Sequence, residues 1–276
     1  TLNANGSGST VNTLNANVSA NIRDFKYANY TYDTIALQGE LKDGQGPINL
    51  DYKDENLNLK LKSIVTLDSV SPQIDATLDL VGADLQALGL TKRNIKTAFQ
   101  FNVNFEGNAD TFDARATIHD AVSVYDNQTY LIGELTANTF VRPDTTYLKV
   151  DNRMLNLELE SNANPTQTTT AITEHINTYL SKQELPDSLK FVKLKLKGKL
   201  TDAPVLKDVF LADLRQLDTV NIDVNFSAEK RNLVAKVEAP FINYADNELD
   251  SLAFNLNSSR DSLTFNFGLK SLKAGP

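Results

Sequence analysis

Side chains able to do chemistry are few and scattered. The only two histidines, His119 and His175, stand far apart in the chain. No G-x-S-x-G, Walker, Rossmann or H-E-x-x-H pattern surrounds them, so a neutral surface or capping role fits both better than catalysis. Asp51, Asp54 and Glu55 carry the oxygen donors of a hard-cation site, yet the glycine of an EF-hand loop is missing. A solvated hairpin turn is the better reading. Lys193, Lys195, Lys197 and Lys199 alternate with Leu194 and Leu196, a basic stripe of the kind that meets phosphate head groups. The commoner use of such a stripe is a solvated face, or an edge protected against aggregation. With no cysteine there is neither a disulfide framework nor a thiolate metal site. N-x-S/T sequons such as those at Asn17, Asn29, Asn127 and Asn257 matter only in a eukaryotic secreted protein, and 29 asparagines yield several by chance. No catalytic residue, metal or cofactor is assigned, and the chain is read as a non-enzyme.

What remains is pattern. In Thr97 to Phe105, Phe99, Phe101, Val103 and Phe105 fall on one side of an extended strand, and Gln100, Asn102 and Asn104 on the other. Strict alternation marks a strand with one apolar face and one wet face. It recurs at Leu57, Leu59 and Leu61; at Leu155, Leu157 and Leu159; at Ile222, Val224 and Phe226; and at Leu263, Phe265 and Phe267. Turn chemistry separates the strands at Asp43-Gly44, at Asp54-Glu55 and at Pro72. Strands are expected over 18–27, 31–42, 47–53, 57–67, 72–80, 96–106, 111–119, 128–138, 145–151 and 154–161. Further strands follow over 189–200, 219–229, 232–239, 249–258 and 261–270. Spacing of the turn signals gives roughly 20 strands in one mostly antiparallel sheet, a trough on the order of 100 Å long. All eight prolines are read at element boundaries or the terminus.

Two stretches break the rhythm. After Pro165, with Thr168 to Thr170 as N-cap, Ile172, Ile176, Tyr179 and Leu180 recur at helical spacing up to Lys182. From Pro204 to about Asp218, Val205, Val209, Phe210, Leu214 and Leu217 make a second apolar stripe. Both are expected as short amphipathic helices lying across an open end or edge of the sheet. Ala83 to Leu88 reads as a single turn. Gly6-Ser7-Gly8-Ser9 reads as a linker or as part of a weak β-edge. Val18–Leu37, Ala114–Leu131 and Val234–Leu256 resemble one another, each an alternating strand, a Tyr-containing turn and another strand.

Composition bounds the function. A chain of 276 residues, 41% hydrophobic with 12 Gly and 8 Pro, is neither disordered nor collagen-like. The net charge of −8 argues against nucleic acid and anionic surfaces as partners. Uninterrupted apolar runs fall far short of the ~20 residues of a spanning helix. No signal peptide is visible, and the chain, opening mid-pattern without Met, is read as an excised or mature segment. Periodicity leaves the fate of the apolar face open among a sandwich, a barrel and a trough with an apolar occupant.

The phrases N-Y-T-Y-D-T-I-A-L-Q-G-E-L (29–41), D-E-N-L-N-L (54–59), A-D-L-Q-A-L-G-L (83–90), N-F-E-G-N (104–108) and A-P-F-I-N-Y-A-D-N-E-L-D-S-L (239–252) resemble the TamB/AsmA-like proteins of Gram-negative envelopes. The resemblance extends over residues 18 to 270 and implies an all-β fold, a long, mostly antiparallel sheet rolled into an open apolar groove. It implies a periplasmic segment of a bridge-like lipid-transfer protein, its groove shielding phospholipid acyl chains between inner and outer membranes. An outer-membrane barrel protein of the assembly machinery is implied as a partner, with an inner-membrane anchor outside this fragment. On this reading 1–17 is a sparse edge region or preceding strand, 18–162 a β-groove segment, 163–188 a helical insertion, and 189–276 a second β-groove segment with a helix at about 204–218. The expected groove lining is Phe99, Phe101, Val103, Phe105, Ile222, Val224, Phe226, Phe254, Leu256, Phe265 and Phe267. A carboxylate at Phe101 or Phe226 is expected to block the tail path while the fold survives. Two other classes stay open: a structural or chaperone-like module in outer-membrane protein assembly, and, ranked last, an enzyme or sugar-binding β-solenoid.

Overall fold

The computed structural model describes residues 1–27, 29–181, 185–211 and 213–275. Contacts divide the chain into two compact units, Thr1–Thr136 and Ala137–Pro276. The division falls inside a strand, not at the helical segment. Both units are open antiparallel sheets rather than closed barrels, with nineteen strands among the described residues.

Unit 1 is a plain meander in which each strand pairs with the next. Its strands are β1 (Leu2–Ser7), β2 (Asn15–Tyr27), β3 (Tyr30–Leu41), β4 (Gln45–Lys53), β5 (Leu57–Thr66), β6 (Gln73–Asp84), β7 (Ile95–Gly107), β8 (Phe112–Tyr125) and β9 (Gln128–Leu131). Gly6 and Ser7 lie in β1 and pair with β2, so this stretch is an edge strand and not a linker. The strand expected over 128–138 is two, because residues 132–134 leave the ladder around Gly133, whose φ is +81°.

Unit 2 is less regular. It contains β10 (Leu135–Arg142, which carries the division), β11 (Thr145–Asp151), β12 (Leu155–Ser161), α1 (Pro165–Ser181), β13 (Lys193–Leu200), β14 (Leu214–Leu217), β15 (Val220–Ser227), β16 (Asn232–Tyr244), β17 (Asn247–Ser258), β18 (Leu263–Gly268) and β19 (Ser271–Lys273). The ladder runs β11–β12–β13–β15–β16–β17–β18. Two long strands are each met by a tandem pair: β15 and β14 along β16, β18 and β19 along β17.

Local chemistry explains the turns. The three self-similar stretches fold as hairpins, β2–β3, β8–β9 and β16–β17, the last two closed by two-residue turns. Asp126 and Asn127 have φ of 50° and 59°, and Ala245 and Asp246 of 49° and 62°, the left-handed pair of a type I′ turn. Asp43-Gly44 makes another such turn, and only glycine serves there: φ is +73° and a Cβ would stand 2.6 Å from the Val11 carbonyl oxygen. Ala83 to Leu88 contains the expected turn, whose amides at Gln86 and Ala87 donate to Asp84 Oδ1.

Three expectations need correction. The helix expected at about 204–218 starts where expected but is short: helical backbone runs over 204–210, with Leu206–Phe210 as one wide turn, and β14 follows. Val205, Val209, Leu214 and Leu217 are buried as the stripe requires, but Phe210 is exposed. A stripe of this spacing does not fix helix over strand, and pairing with β16 decides for strand. The N-cap of α1 is Asn164, not Thr168–Thr170: its Oδ1 accepts the Gln167 amide at 2.8 Å, with Pro165 in the first helical position. The expected helix end at Lys182 lies outside the described residues. Finally, two prolines sit within strands. Pro240 stands where the β16–β17 ladder skips one pair between Ala239↔Leu252 and Phe241↔Asp250 without a change of register, opposite Ser251 at φ +58°, so its missing N–H costs the ladder nothing. Pro47 lies in β4 just beyond Ile48, where the ladder with β3 stops.

Candidate apolar binding face

Residues directly opposite each other in an antiparallel pair share a face. Tracing partners across unit 1 therefore gives rows. One row runs Leu2, Ala20, Leu37, Leu50, Leu61, Leu78, Phe101, Ile118, apolar across all of β1 to β8. The row beside it on the opposite face is Asn3, Ser19, Gln38, Asn49, Lys62, Thr77, Asn102, Thr117, polar throughout. Phe99, Val103 and Phe105 share the apolar face with Phe101, opposite Leu80, Ala76 and Ile74. Asn102 and Asn104 point the other way, and Asn102 Oδ1 accepts from Thr77 Oγ1 at 2.8 Å. Phe105 stacks on Phe112 at 5.7 Å.

One buried cluster covers an end of this face. There Tyr52, Leu57, Leu80, Ala83 and Leu88 are buried, with Tyr30, Tyr32, Leu50, Leu59 and Phe99 packed against them. Asp54 ties that end down. Tyr30 and Tyr52 hydroxyls both donate to its Oδ2 at 2.5 Å, and the Asn56 and Leu57 amides donate to Oδ1 at 2.8 and 2.7 Å. Burial pushes this carboxyl up, but the tyrosine and amide hydrogen bonds outweigh it and hold Asp54 below the ordinary carboxylate range. Burial and the Asp54 bond push the Tyr52 phenol well above its ordinary value. Asp54 is thus a structural clasp and not the solvated turn that its sequence context suggests. Away from this end Leu61, Leu78, Phe101, Val103 and Phe105 stay half-buried, while Val65 and Ala76 are buried.

Unit 2 repeats the arrangement with sharper contrast. Leu148, Leu159, Leu196, Val224, Ala235, Leu256 and Phe265 form an apolar row from β11 to β18. Ile222, Phe226, Phe254 and Phe267 share its face. On the other face runs Lys149, Glu158, Lys197, Asp223, Lys236, Asn255, Asn266, with signs alternating strand by strand. Within the lysine stripe of β13, Lys197 has carboxylates opposite it on both sides and Lys195 faces Glu160 on one side. Lys193 pairs with Glu229 at 3.4 Å and Lys199 lies between Asn156 and Asn221, so the stripe is a largely neutralised outer surface. Asn225 lies on this outer face and is exposed.

Unlike unit 1, unit 2 covers its apolar face from within. Helix α1 packs onto it: Ala171, Ile172 and Ile176 join a cluster with Leu194, Phe226, Leu233, Leu256, Phe254 and Val224. His175, only 1% exposed, sets its ring against Phe226 at 5.3 Å and its Nε2 against Ser258 Oγ at 2.9 Å. Burial first, and the Arg231 charge second, hold His175 below its ordinary pKa, so it is neutral at pH 7. It is neither a surface nor a capping histidine. His119 is the exposed one, 3.1 Å from Glu134. The expected lining residues therefore split into classes. Phe226 and Leu256 are buried under α1; Ile222, Val224 and Phe254 are half-buried; Phe265 and Phe267, on β18, are 60% and 69% exposed.

Several members of these faces were not singled out by alternation in one strand, Leu78, Leu148 and Ala235 among them. Their signal is the partner strand's pattern, visible only once register is known. Among the described residues no group of three or more His, Cys, Asp or Glu side chains could hold a metal ion, and no helix is long and apolar enough to cross a membrane. No protein-family model matches the chain, and neither does any curated protein or solved structure.

Proposed function

We propose that the apolar face shields phospholipid acyl chains, the chain being a periplasmic segment of a bridge-like lipid-transfer protein between the two membranes of a Gram-negative envelope. One observation carries this reading. In unit 1 an apolar row crosses eight strands without a polar interruption, yet Leu37, Leu50, Leu61, Leu78, Phe101 and Ile118 in it stay half-buried, and the row beside it on the other face is polar throughout. Finishing the burial of a Leu or Phe is worth on the order of 1 kcal/mol each, so such a face favours an apolar occupant. Each acyl CH₂ kept from water is worth about 0.8 kcal/mol, and a ~16-carbon chain gains on the order of 10 kcal/mol. The row from Leu2 to Ile118 offers no polar group to single out one lipid, so successive positions along it bind tails with similar strength, as sliding requires. Head groups stay in water. The inner-membrane anchor and an outer-membrane barrel partner belong to this proposal and lie outside the chain.

The test is mass spectrometry of the purified protein for co-extracted phospholipid. Stoichiometric phospholipid is the expected result; lipid-free protein from a membrane-containing lysate would sink the reading.

A second reading has its own observation. Strand β18 is an edge strand whose Phe265 and Phe267 are largely exposed, and Leu272 on β19 is 62% exposed. An edge of this kind accepts an added strand, which supports a chaperone-like role for client β-strands. Peptide strands that bind in competition with lipid would favour it.

A further inference from the structure

The helix α1 lies where the proposed occupant would lie. Its N-terminal turn touches β12, with Thr168 Oγ1 2.7 Å from Ser161 Oγ, and its far end reaches β17, where Tyr179 donates to the Ser259 carbonyl at 2.5 Å. At ~1.5 Å per residue its 17 residues are about 25 Å long, enough to cross the four strand steps from β12 to β17, about 19 Å. It therefore runs across the strands on the apolar side, along the direction a tail would follow.

Three features separate it from an ordinary core helix. First, it is inserted between β12 and β13, which already pair directly with each other from Leu155↔Leu200 to Ser161↔Leu194. The neck is closed without it: Lys193 N donates to Asn162 Oδ1 at 2.6 Å, and Asn162 Nδ2 to the Phe191 carbonyl at 2.9 Å. Every rung of the ladder survives if α1 leaves. Second, its fully buried residues are Thr168, Ala171 and His175, small or polar, while Leu180 is 78% exposed. The apolar surface at the contact comes mostly from the sheet. Third, its seat is fastened by side-chain hydrogen bonds to Ser161 and Ser258, which water can replace.

We propose that α1 is a displaceable occupant of the tail path, so that the stretch of face under Phe226, Leu256 and Phe254 is an acyl-chain site held closed by the chain's own helix. Tail and helix compete for one surface, and lipid enters unit 2 as α1 lifts. This rests on the lipid reading above, which unit 1 tests separately.

The experiment uses the full chain, whose lack of cysteine permits clean labelling. Nitroxides on Leu180→Cys and Asn266→Cys report the helix position by pulsed electron resonance. A benzophenone side chain replaces Phe101 or, in a second protein, Phe254, and the probe is phosphatidylethanolamine–phosphatidylglycerol vesicles. The expected result is lipid crosslinking at Phe101, several-fold weaker crosslinking at Phe254, and a longer second distance growing in with the Phe254 signal. His175→Ala should strengthen both Phe254 signals and leave Phe101 unchanged. Crosslinking at Phe101 with an unmoved helix overturns the proposal, whether Phe254 is silent or labelled. Silence at both positions overturns the lipid reading itself and this inference with it. Should His175→Ala fail to fold, the wild-type distances alone still decide.

Discussion

The two units answer one physical problem in two ways. In unit 1 the longest connection between strands, residues 85–94, reaches one end of the apolar face through Leu88, and Phe101 and Leu61 stay half-buried. In unit 2 the chain between β12 and β13 is long enough to fold a helix back over that face, and Phe226 falls to 3% exposure. The strands are alike: F-Q-F-N-V-N-F in β7 and V-N-I-D-V-N-F in β15. Loop length, not strand pattern, therefore decides whether an apolar face is a surface or a core. Equivalent phenylalanines should respond to the same change very differently.

The largest effect expected is at Phe226. Phe226→Asp places a carboxylate against the His175 ring in a buried cluster, losing the aromatic packing and stranding a charge. That sum reaches about 4 kcal/mol or more, enough to unfold unit 2. Phe101→Asp can turn its carboxylate toward water and should leave strand content and melting largely intact while lipid loading falls. The expectation that both carboxylates spare the fold is therefore kept for Phe101 and withdrawn for Phe226, which α1 makes core. Denaturant titrations of the two variants check this; equal midpoints would erase the distinction between the units.

A smaller effect separates the clasps at Asp54 and Gly44 from the helix seat. Tyr52→Phe removes one donor to Asp54 and the acceptor for the Asp33 amide. A loss of about 1–2 kcal/mol is expected, all within unit 1. Gly44→Ala forces a Cβ into the Val11 carbonyl at positive φ and should cost a similar amount or more. Residue-resolved hydrogen exchange should show both losses confined to residues 1–136.

Acidification should divide the units in the opposite order. His175 is held neutral in the fold, so above about pH 6.5 its seat is fully stable, and stability is lost as pH falls from there through its depressed folded value. The groups around it are Ser258, Phe226 and Tyr179, and the nearby charge is Arg231, which opposes protonation. Asp54, depressed relative to an unfolded carboxyl, keeps its contribution down to about pH 4 and loses it only below. Between pH 6.5 and about 5, exchange should rise around α1 before it rises in β3–β5. Simultaneous loosening of both regions would show that His175 does not govern the seat.

Much of this fold was legible because a period of two leaves little freedom: β11 was expected over 145–151 and is found there. Facing was legible too, since one residue of slip would have turned Asn102 inward. Coverage was not. The helical spacing of Ile172, Ile176 and Tyr179 marks α1 without revealing that His175 between them points into Phe226, 51 residues away by number but adjacent in space. The later part of the segment at 204–218 failed for a related reason: Leu214 and Leu217 satisfy a helix stripe and a strand end equally, and only β16 chooses. Asp54 looked solvated because Tyr30, its partner, comes from a different hairpin.

The smallest effect sharpens the contrast most economically. Asn102 and Phe101 are neighbours in β7 on opposite faces. Asn102→Asp keeps an oxygen able to accept from Thr77, and the added charge points to solvent. Asp75 and Asp79 stand diagonally across on β6, so a few tenths of a kcal/mol of repulsion is the expected penalty, within about 0.5 kcal/mol overall. Lipid loading should match the wild type while Phe101→Asp lowers it, with the same net charge change in both. Because bulk charge is identical, any difference between the two variants belongs to the face. If Asn102→Asp depletes lipid as strongly as Phe101→Asp, tails are not held on the phenylalanine side, and the apolar row across β1 to β8 has some other occupant.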